Sequence, residues 1–291
     1  MLINLRDICS IAEQNNMAIA SFNVPSFEAL RAAVDVAEQT GYPVILSHAE
    51  GHDPFAPLDK IGPAMVALAE RSSATLCVHL DHCEHLSYMY KALDMGFTGA
   101  MFDGSFLPYE ENVANSSRAA DMCASFDAGL ECELGSMGSR EAGSRDEGGT
   151  AQESGAIYTD PDQAQDFIDR TGLDILACSF GTVHGLYKGE PHLNFDVLTQ
   201  IRKRNNVPLV MHGGSGVSDE DYVKSINAGI RKINYYTYGV KYAGEAVEKL
   251  VSEKGGKVVY WHDMTTAAYK TLRDDFEKVV KVFANGAEPL A

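Results

Sequence analysis

The sequence predicts a single α/β domain folded as a closed (β/α)8 barrel, the TIM barrel, over residues 1–291, and three observations carry that prediction. Short apolar runs of strand character alternate with helical segments from one end of the chain to the other, the pattern of stacked βα units and a parallel sheet. Eight runs are visible, at 18–23, 43–47, 75–79, 99–102, 130–134, 175–178, 207–211 and 232–235, whereas an open doubly wound sheet has about five or six strands and a glycine-rich first turn. No G-x-G-x-x-G follows the first run, and a chain of 291 residues with 45% hydrophobic residues can bury a core of barrel size.

Helical periodicity fills the intervals. Leu86, Met89, Tyr90 and Leu93 recur at i, i+3, i+4 and i+7, with His85 at the start of that helix and Gly96 stopping it. Ser218 with Asp221 resembles a capping box and opens a helix that ends near Gly229. The stretch 135–158, rich in Gly, Ser, Arg, Asp and Glu, is the one long irregular segment. A loop of that length in a compact domain is a lid or binding loop, or else a disordered insertion.

Composition narrows the function. A net charge of −17 argues against nucleic acid as a partner, because binding it requires a basic surface to displace counterions. The same charge means that an anionic substrate needs a local positive field, from a metal or helix N-termini. No apolar run approaches the roughly 20 residues of a membrane helix, and the start, MLINLRDICS, lacks a signal pattern, so a cytoplasmic location is expected. The six cysteines form no C-x-x-C pair and read as reduced thiols rather than a disulfide framework or nucleophiles.

In such a barrel the active site is assembled at the C-terminal ends of the strands. There the sequence places Asp81 and His82 after the third strand, Asp103 after the fourth and Glu133 at the end of the fifth. His184 follows the sixth, His212 the seventh, and Asn234 and Thr237 the eighth. Three histidines from separate strand ends, His82, His184 and His212, can converge on one metal and leave a fourth position open, the arrangement of a catalytic zinc site. Asp81, beside a proposed ligand, either transfers a proton or orients a histidine. Asp103 and Glu133 either support the ligands or hold a second metal position, support being preferred. His79 is read as a core or supporting residue, while His48, His52, His192 and His262 are read as satisfied or surface residues. The glycines of His212-Gly213-Gly214-Ser215-Gly216 can offer backbone N–H groups to a phosphate, with Asn234 and Thr237 completing the pocket.

These blocks, SFNV at 21–24, LDHC at 80–83, ELG at 133–135, VHGLY at 183–187 and HGGSG at 212–216, resemble the class II, zinc-dependent ketose-bisphosphate aldolases over nearly the whole chain. The resemblance implies that His82, His184 and His212 bind Zn2+ and that Asp81 is the acid/base on the aldehyde oxygen. Glu141 matches the glutamate that takes the carbon-bound proton of dihydroxyacetone phosphate. It further implies that Gly185, Gly213, Ser215, Asn234 and Thr237 hold the phosphate and ketone end, with Asn23 nearby. A monovalent cation, Na+ or K+, beside the phosphate and a homodimer or homotetramer are also implied. The substrate is then a sugar phosphate, a ketose 1-phosphate or ketose 1,6-bisphosphate, cleaved to dihydroxyacetone phosphate and an aldehyde.

Three departures bear on the substrate. Tyr235 and Tyr236 stand as two large phenols expected to intrude near the ketone end, Ala49 replaces a phosphate-pocket serine, and Asp263 falls close to the place of a distal arginine. A distal phosphate would lack its charge-assisted partner, so a ketose 1-phosphate with an uncharged or differently charged far end is expected, unless Arg140 and Arg145 of the loop close over an anion there. Two rival functions are a zinc hydrolase on the same barrel and a non-catalytic sugar-phosphate binder. The first favours an H-x-H after the first strand, where this chain reads SFNVP; the second has no need of both Asp81 and Glu141.

Overall fold

The structure, a computed structural model, describes residues 1–135, 158–187, 189 and 191–290. Eight parallel strands close into a barrel in chain order. They are β1 (Ile19–Asn23), β2 (Val44–Ala49), β3 (Leu76–Cys83), β4 (Gly99–Phe102), β5 (Gly129–Leu134), β6 (Ile175–Cys178), β7 (Leu209–Met211) and β8 (Ile230–Tyr235). Around them lie α1 (Leu5–Asn15), α2 (Phe27–Thr40), α3 (Leu58–Arg71), α4 (Leu86–Asp94), α5 (Tyr109–Ser125), α6 (Pro161–Thr171), α7 (Phe195–Arg204), α8 (Asp219–Asn227), α9 (Thr237–Glu253) and α10 (Trp261–Phe283). No helix is long and apolar enough to cross a membrane among these residues. The six cysteines are all free and buried.

Local chemistry sets the helix ends. The side chains of Asn4, Ser26, Asp160 and Ser218 accept the first orphan N–H groups of α1, α2, α6 and α8, and the expected Ser218–Asp221 cap is among them. Gly41 and Gly172 end α2 and α6 in the left-handed conformation. In α4, Met89 and Leu93 face the core as the periodicity predicts, but Tyr90 is half exposed and meets Phe126 edge-on instead.

Successive strand residues alternate between the barrel interior and the helix layer. One cluster of buried side chains, Ile19, Ile45, Cys77, Met101, Ile175 and Val210 with Leu5, Ile8 and Ala12, fills the lower interior, where α1 plugs the N-terminal end. A larger cluster joins the outward strand faces to the helices. Tyr235 belongs to that layer: its ring packs edge-on against Phe22 and Phe276. It therefore does not intrude on the ketone end as expected, because its strand parity is opposite to that of Asn234.

The strand β3 runs longer than its apolar pattern predicts, ending at Cys83, and its pairing with β4 shifts register between Leu80 and Cys83. Within that irregularity His82 adopts a left-handed φ of 42°, which a non-glycine residue accepts only at a cost. A bulge re-aims side chains. Here it lets the consecutive residues Asp81 and His82 face one cavity, which regular alternation would forbid.

Candidate active site

Above the apolar floor the same inward positions turn polar. Reading up the strands, Ile19 gives way to Ser21 and Asn23, Cys77 to His79 and Asp81, and Glu131 is followed by Glu133. Lys232 and Asn234 occupy the matching positions of β8. Their contacts join strands that are not neighbours, so they cross the interior. Lys232 Nζ lies 2.8 Å from Glu131 Oε2, and His79 Nε2 lies 3.4 Å from the same oxygen. Lys232 Nζ also donates to Asn234 Oδ1 at 2.6 Å, which turns the amide nitrogen of Asn234 towards Asp81 Oδ1 at 3.0 Å. Asn23 Nδ2 donates to the other oxygen, Asp81 Oδ2, at 3.0 Å. Asp81 is thus fixed by two amides.

The histidines His82, His184 and His212 converge, with one nitrogen from each lying within 4.8 Å of the others. His82 donates Nδ1–H to Asp103 Oδ2 at 2.9 Å, and Asp103 is held in turn by the Ser105 hydroxyl at 2.7 Å. His212 donates Nε2–H to Glu131 Oε1 at 2.6 Å. With those nitrogens committed, His82 Nε2 and His212 Nδ1 face each other at 2.9 Å. His184 is buried, and neither of its ring nitrogens has a hydrogen-bond partner among the described residues.

Electrostatics follows from burial and neighbours. Burial opposes ionisation of Asp81, but His82, His212 and Lys232 outweigh it and hold the carboxyl well below the usual range. Burial likewise works against protonating His82, yet Asp81 and Asp103 raise it to about 10. Burial, then the positive charge of His82, keeps His184 neutral. Burial, then Asp103, pushes Glu133 well above the normal carboxylic range, while Lys232 holds Glu131 well below it against its burial.

The donor set fits the metal that such a site calls for. Three imidazoles present lone pairs to one point, and carboxylates fix the far nitrogens of two of them, the usual supporting arrangement around a bound metal. A second group, His82, Asp103 and Glu133, also comes within 4.8 Å, although Asp103 is engaged in holding His82.

The residues expected at the phosphate end gather beside this cluster. Gly213 has a φ of 61°, and a Cβ there would meet the Val183 carbonyl oxygen at 2.4 Å. That close approach is locked by Tyr187, whose hydroxyl accepts from Val183 N at 3.2 Å and donates to Gly213 O at 2.8 Å. The segment carrying Gly185 and His184 is thereby pinned to the one carrying His212. Ser215 Oγ accepts from Tyr236 N at 2.9 Å, directly before Thr237 opens α9. The helix α9 carries no acidic residue in its first turn, in contrast to the three of α8, which leaves its N-terminus favourable to an anion.

The sequence model of the family described as fructose-bisphosphate aldolase class-II matches residues 3–286. The chain belongs to that family. Within it, the probable fructose-bisphosphate aldolase of Bacillus subtilis (strain 168) is 36% identical over 256 residues, covering 87% of each chain. The YdjI aldolase from Escherichia coli K12 superposes with a TM-score of 0.84 at 30% identity, over 99% of this chain and 98% of that one. A fructose-bisphosphate aldolase from Campylobacter jejuni shares the fold, with a TM-score of 0.81 at 20% identity over 99% and 97% of the two chains.

Against this aldolase-family frame, Asp81, His82, His184, His212, Asp103, Glu133, Asn23 and Asn234 lie in one buried cluster. Glu141, Arg140 and Arg145 lie outside the described residues. Sequence reasoning missed Glu131 and Lys232, although each shares strand parity with a residue it did select, Glu133 and Asn234. It also misread one histidine, His52. His192 and His262 are exposed as expected, but His48 and His52 are fully buried at the end of β2. His48 Nε2 meets the Tyr88 hydroxyl at 3.0 Å, whereas His52 has no hydrogen-bond partner on either ring nitrogen among the described residues. Asp263 sits in the first turn of α10 and pairs with Lys254 at 3.7 Å.

Proposed function

We propose that the chain is a metal-dependent aldolase that splits a phosphorylated ketose into dihydroxyacetone phosphate and an aldehyde, and catalyses the reverse addition. The observation that carries the reading is the pairing of an ionised, amide-fixed Asp81 with three inward histidines whose lone pairs meet. His82, His184 and His212 would hold the metal, Zn2+ being the ion best suited to three imidazoles and an open position. Such an ion supplies Lewis-acid polarisation of a ketone oxygen.

The chain's own residues do the rest. Asp81 accepts the proton of the C4 hydroxyl in cleavage and returns it to the aldehyde oxygen in addition. Asn23 and Asn234 fix its two oxygens so that it need not reorganise. Glu141 takes the carbon-bound proton of dihydroxyacetone phosphate. Gly185, Gly213, Ser215 and Thr237, with the N-terminus of α9, bind the phosphate, beside which Na+ or K+ sits. Glu131, Asp103 and Lys232 orient the ligands and Asn234.

At the far end, residues 48–57 at the rim of β2 contain no lysine or arginine. That supports a ketose 1-phosphate without a second phosphate as the preferred substrate. The enzyme is further read as a cytoplasmic homodimer or homotetramer. A coupled assay with dihydroxyacetone phosphate and a panel of aldehydes, with and without chelator, tests the reading. Turnover abolished by chelator and restored by Zn2+ is expected; no carbon–carbon bond formation with any aldehyde would overturn it.

A further inference from the structure

His52 is 0% exposed, as deeply buried as Asp81 and His212, and both of its ring nitrogens lack a partner among the described residues. A buried donor and acceptor left unmade is costly to the free protein and calls for a partner that arrives later. His48, four residues earlier, shows what satisfaction looks like: it meets Tyr88, whose hydroxyl donates to Asp53 at 2.7 Å. His52 is instead clasped between two rings, Tyr236 at 4.8 Å and Phe55 at 5.1 Å between centroids, each tilted by 40°. Packing fixes the ring while its nitrogens go without a partner among the described residues.

Its place in the barrel says what the partner would be. His52 closes the single turn Glu50–His52 that follows β2, and the last residue of β2, Ala49, is in register with Asp81 of β3. The phosphate end lies over β7 and β8, and β7 stands opposite β3 in the ring of eight. On the aldolase reading, a ketose held there by its phosphate and reacting beside Asp81 would reach β2 with its aldehyde-derived half. Burial keeps His52 neutral, with its pKa pushed down to about 4, so the ring offers one donor and one acceptor to an uncharged oxygen rather than a positive charge to an anion.

We propose that His52 is the specificity-determining residue for the aldehyde half, exchanging hydrogen bonds with a hydroxyl group beyond the carbon–carbon bond that forms, so that the substrate is a polyhydroxylated aldehyde without a distal phosphate. This rests on the aldolase reading above. His52→Phe keeps an aromatic ring between Tyr236 and Phe55, slightly larger than the imidazole, and removes both nitrogens. His52→Gln keeps a donor and an acceptor.

Three measurements on the metal-loaded enzyme test it. They are solvent exchange of the carbon-bound proton of dihydroxyacetone phosphate without aldehyde, kcat/KM for addition to glyceraldehyde and to propionaldehyde, and the thermal midpoint. In His52→Phe, kcat/KM with glyceraldehyde is expected to fall roughly three- to tenfold, the worth of one neutral hydrogen bond. Propionaldehyde addition and proton exchange should stay at wild-type rates, and the midpoint should hold, because losing two buried atoms that have no partner among the described residues offsets the slightly larger ring. His52→Gln should recover part of the loss. An equal fall with both aldehydes, no fall with glyceraldehyde, or a lower midpoint would each overturn the proposal. Wild-type enzyme that exchanges no proton would instead sink the aldolase reading beneath it.

Discussion

The two ends of this barrel are built from the same eight strands and obey opposite rules. At the lower end Ile19, Ile45, Cys77, Met101, Ile175 and Val210 pack on α1, an apolar floor that needs no hydrogen bonds. Two residues further along the same inward faces stand Ser21, Ser47, His79 and Asp103, and beyond them Asn23 and Asp81, every one of them buried. The floor stabilises the fold without directing chemistry; the upper layers spend part of that stability on charges held in place. Between the two, the Lys232–Glu131 pair acts as a hinge in character, since its buried charges brace the ligands above while resting on the floor below. Stability and function are thus separated by height along the strands, and substitutions at three heights should separate too.

The largest effect on activity is expected at the top. His184→Ala should lose bound metal and reduce turnover by roughly three orders of magnitude or more, with little change in stability of the metal-free protein, since the imidazole has no hydrogen-bond partner among the described residues. Metal analysis beside a thermal melt checks both halves, and full metal occupancy would remove His184 from the site. An intermediate effect is expected in the middle. Lys232→Met strands the Glu131 charge and frees the Asn234 amide, so it should cost about 3–5 kcal/mol of stability and lower activity roughly 10- to 100-fold through its loss of support for the ligands. The pairing predicts that Glu131→Gln in the same chain recovers much of the stability, which a double-mutant cycle measures. The smallest effect on activity belongs to the floor. Met101→Ala should cost about 2–5 kcal/mol in denaturant unfolding yet leave kcat within about twofold at a temperature where both proteins are folded. A large loss of kcat there would show that the two ends are coupled.

Much of this division was legible in the sequence because it follows strand parity. The eight strands lie within two or three residues of their apolar runs, save where β3 continues to Cys83, and the polar residues past those runs do gather at one end. What escaped notice has physical reasons. Glu131 and Lys232 pair across the barrel from β5 to β8, a contact that no local pattern encodes, although their position two residues before Glu133 and Asn234 placed them on the inward face. His52 lies one turn beyond β2, so a search confined to strand ends passed over it. Tyr235 was misjudged because adjacency to Asn234 in sequence means the opposite face in a strand. The bulge at His82 depends on a backbone shift against β4 that composition does not announce.

The central claim, that the amide-fixed Asp81 moves the proton of the aldehyde oxygen beside a three-histidine metal centre, is tested most directly by comparing two rates in Asp81→Asn. The variant keeps one acceptor oxygen for the amide of Asn234 and all three histidines, so it should retain metal and exchange the carbon-bound proton of dihydroxyacetone phosphate with solvent at close to the wild-type rate. Its aldol turnover should fall by roughly 100- to 10,000-fold, the range for losing a general acid or base. The opposite pattern, turnover near wild type, or exchange lost in the same proportion as turnover with metal still bound, would contradict the account.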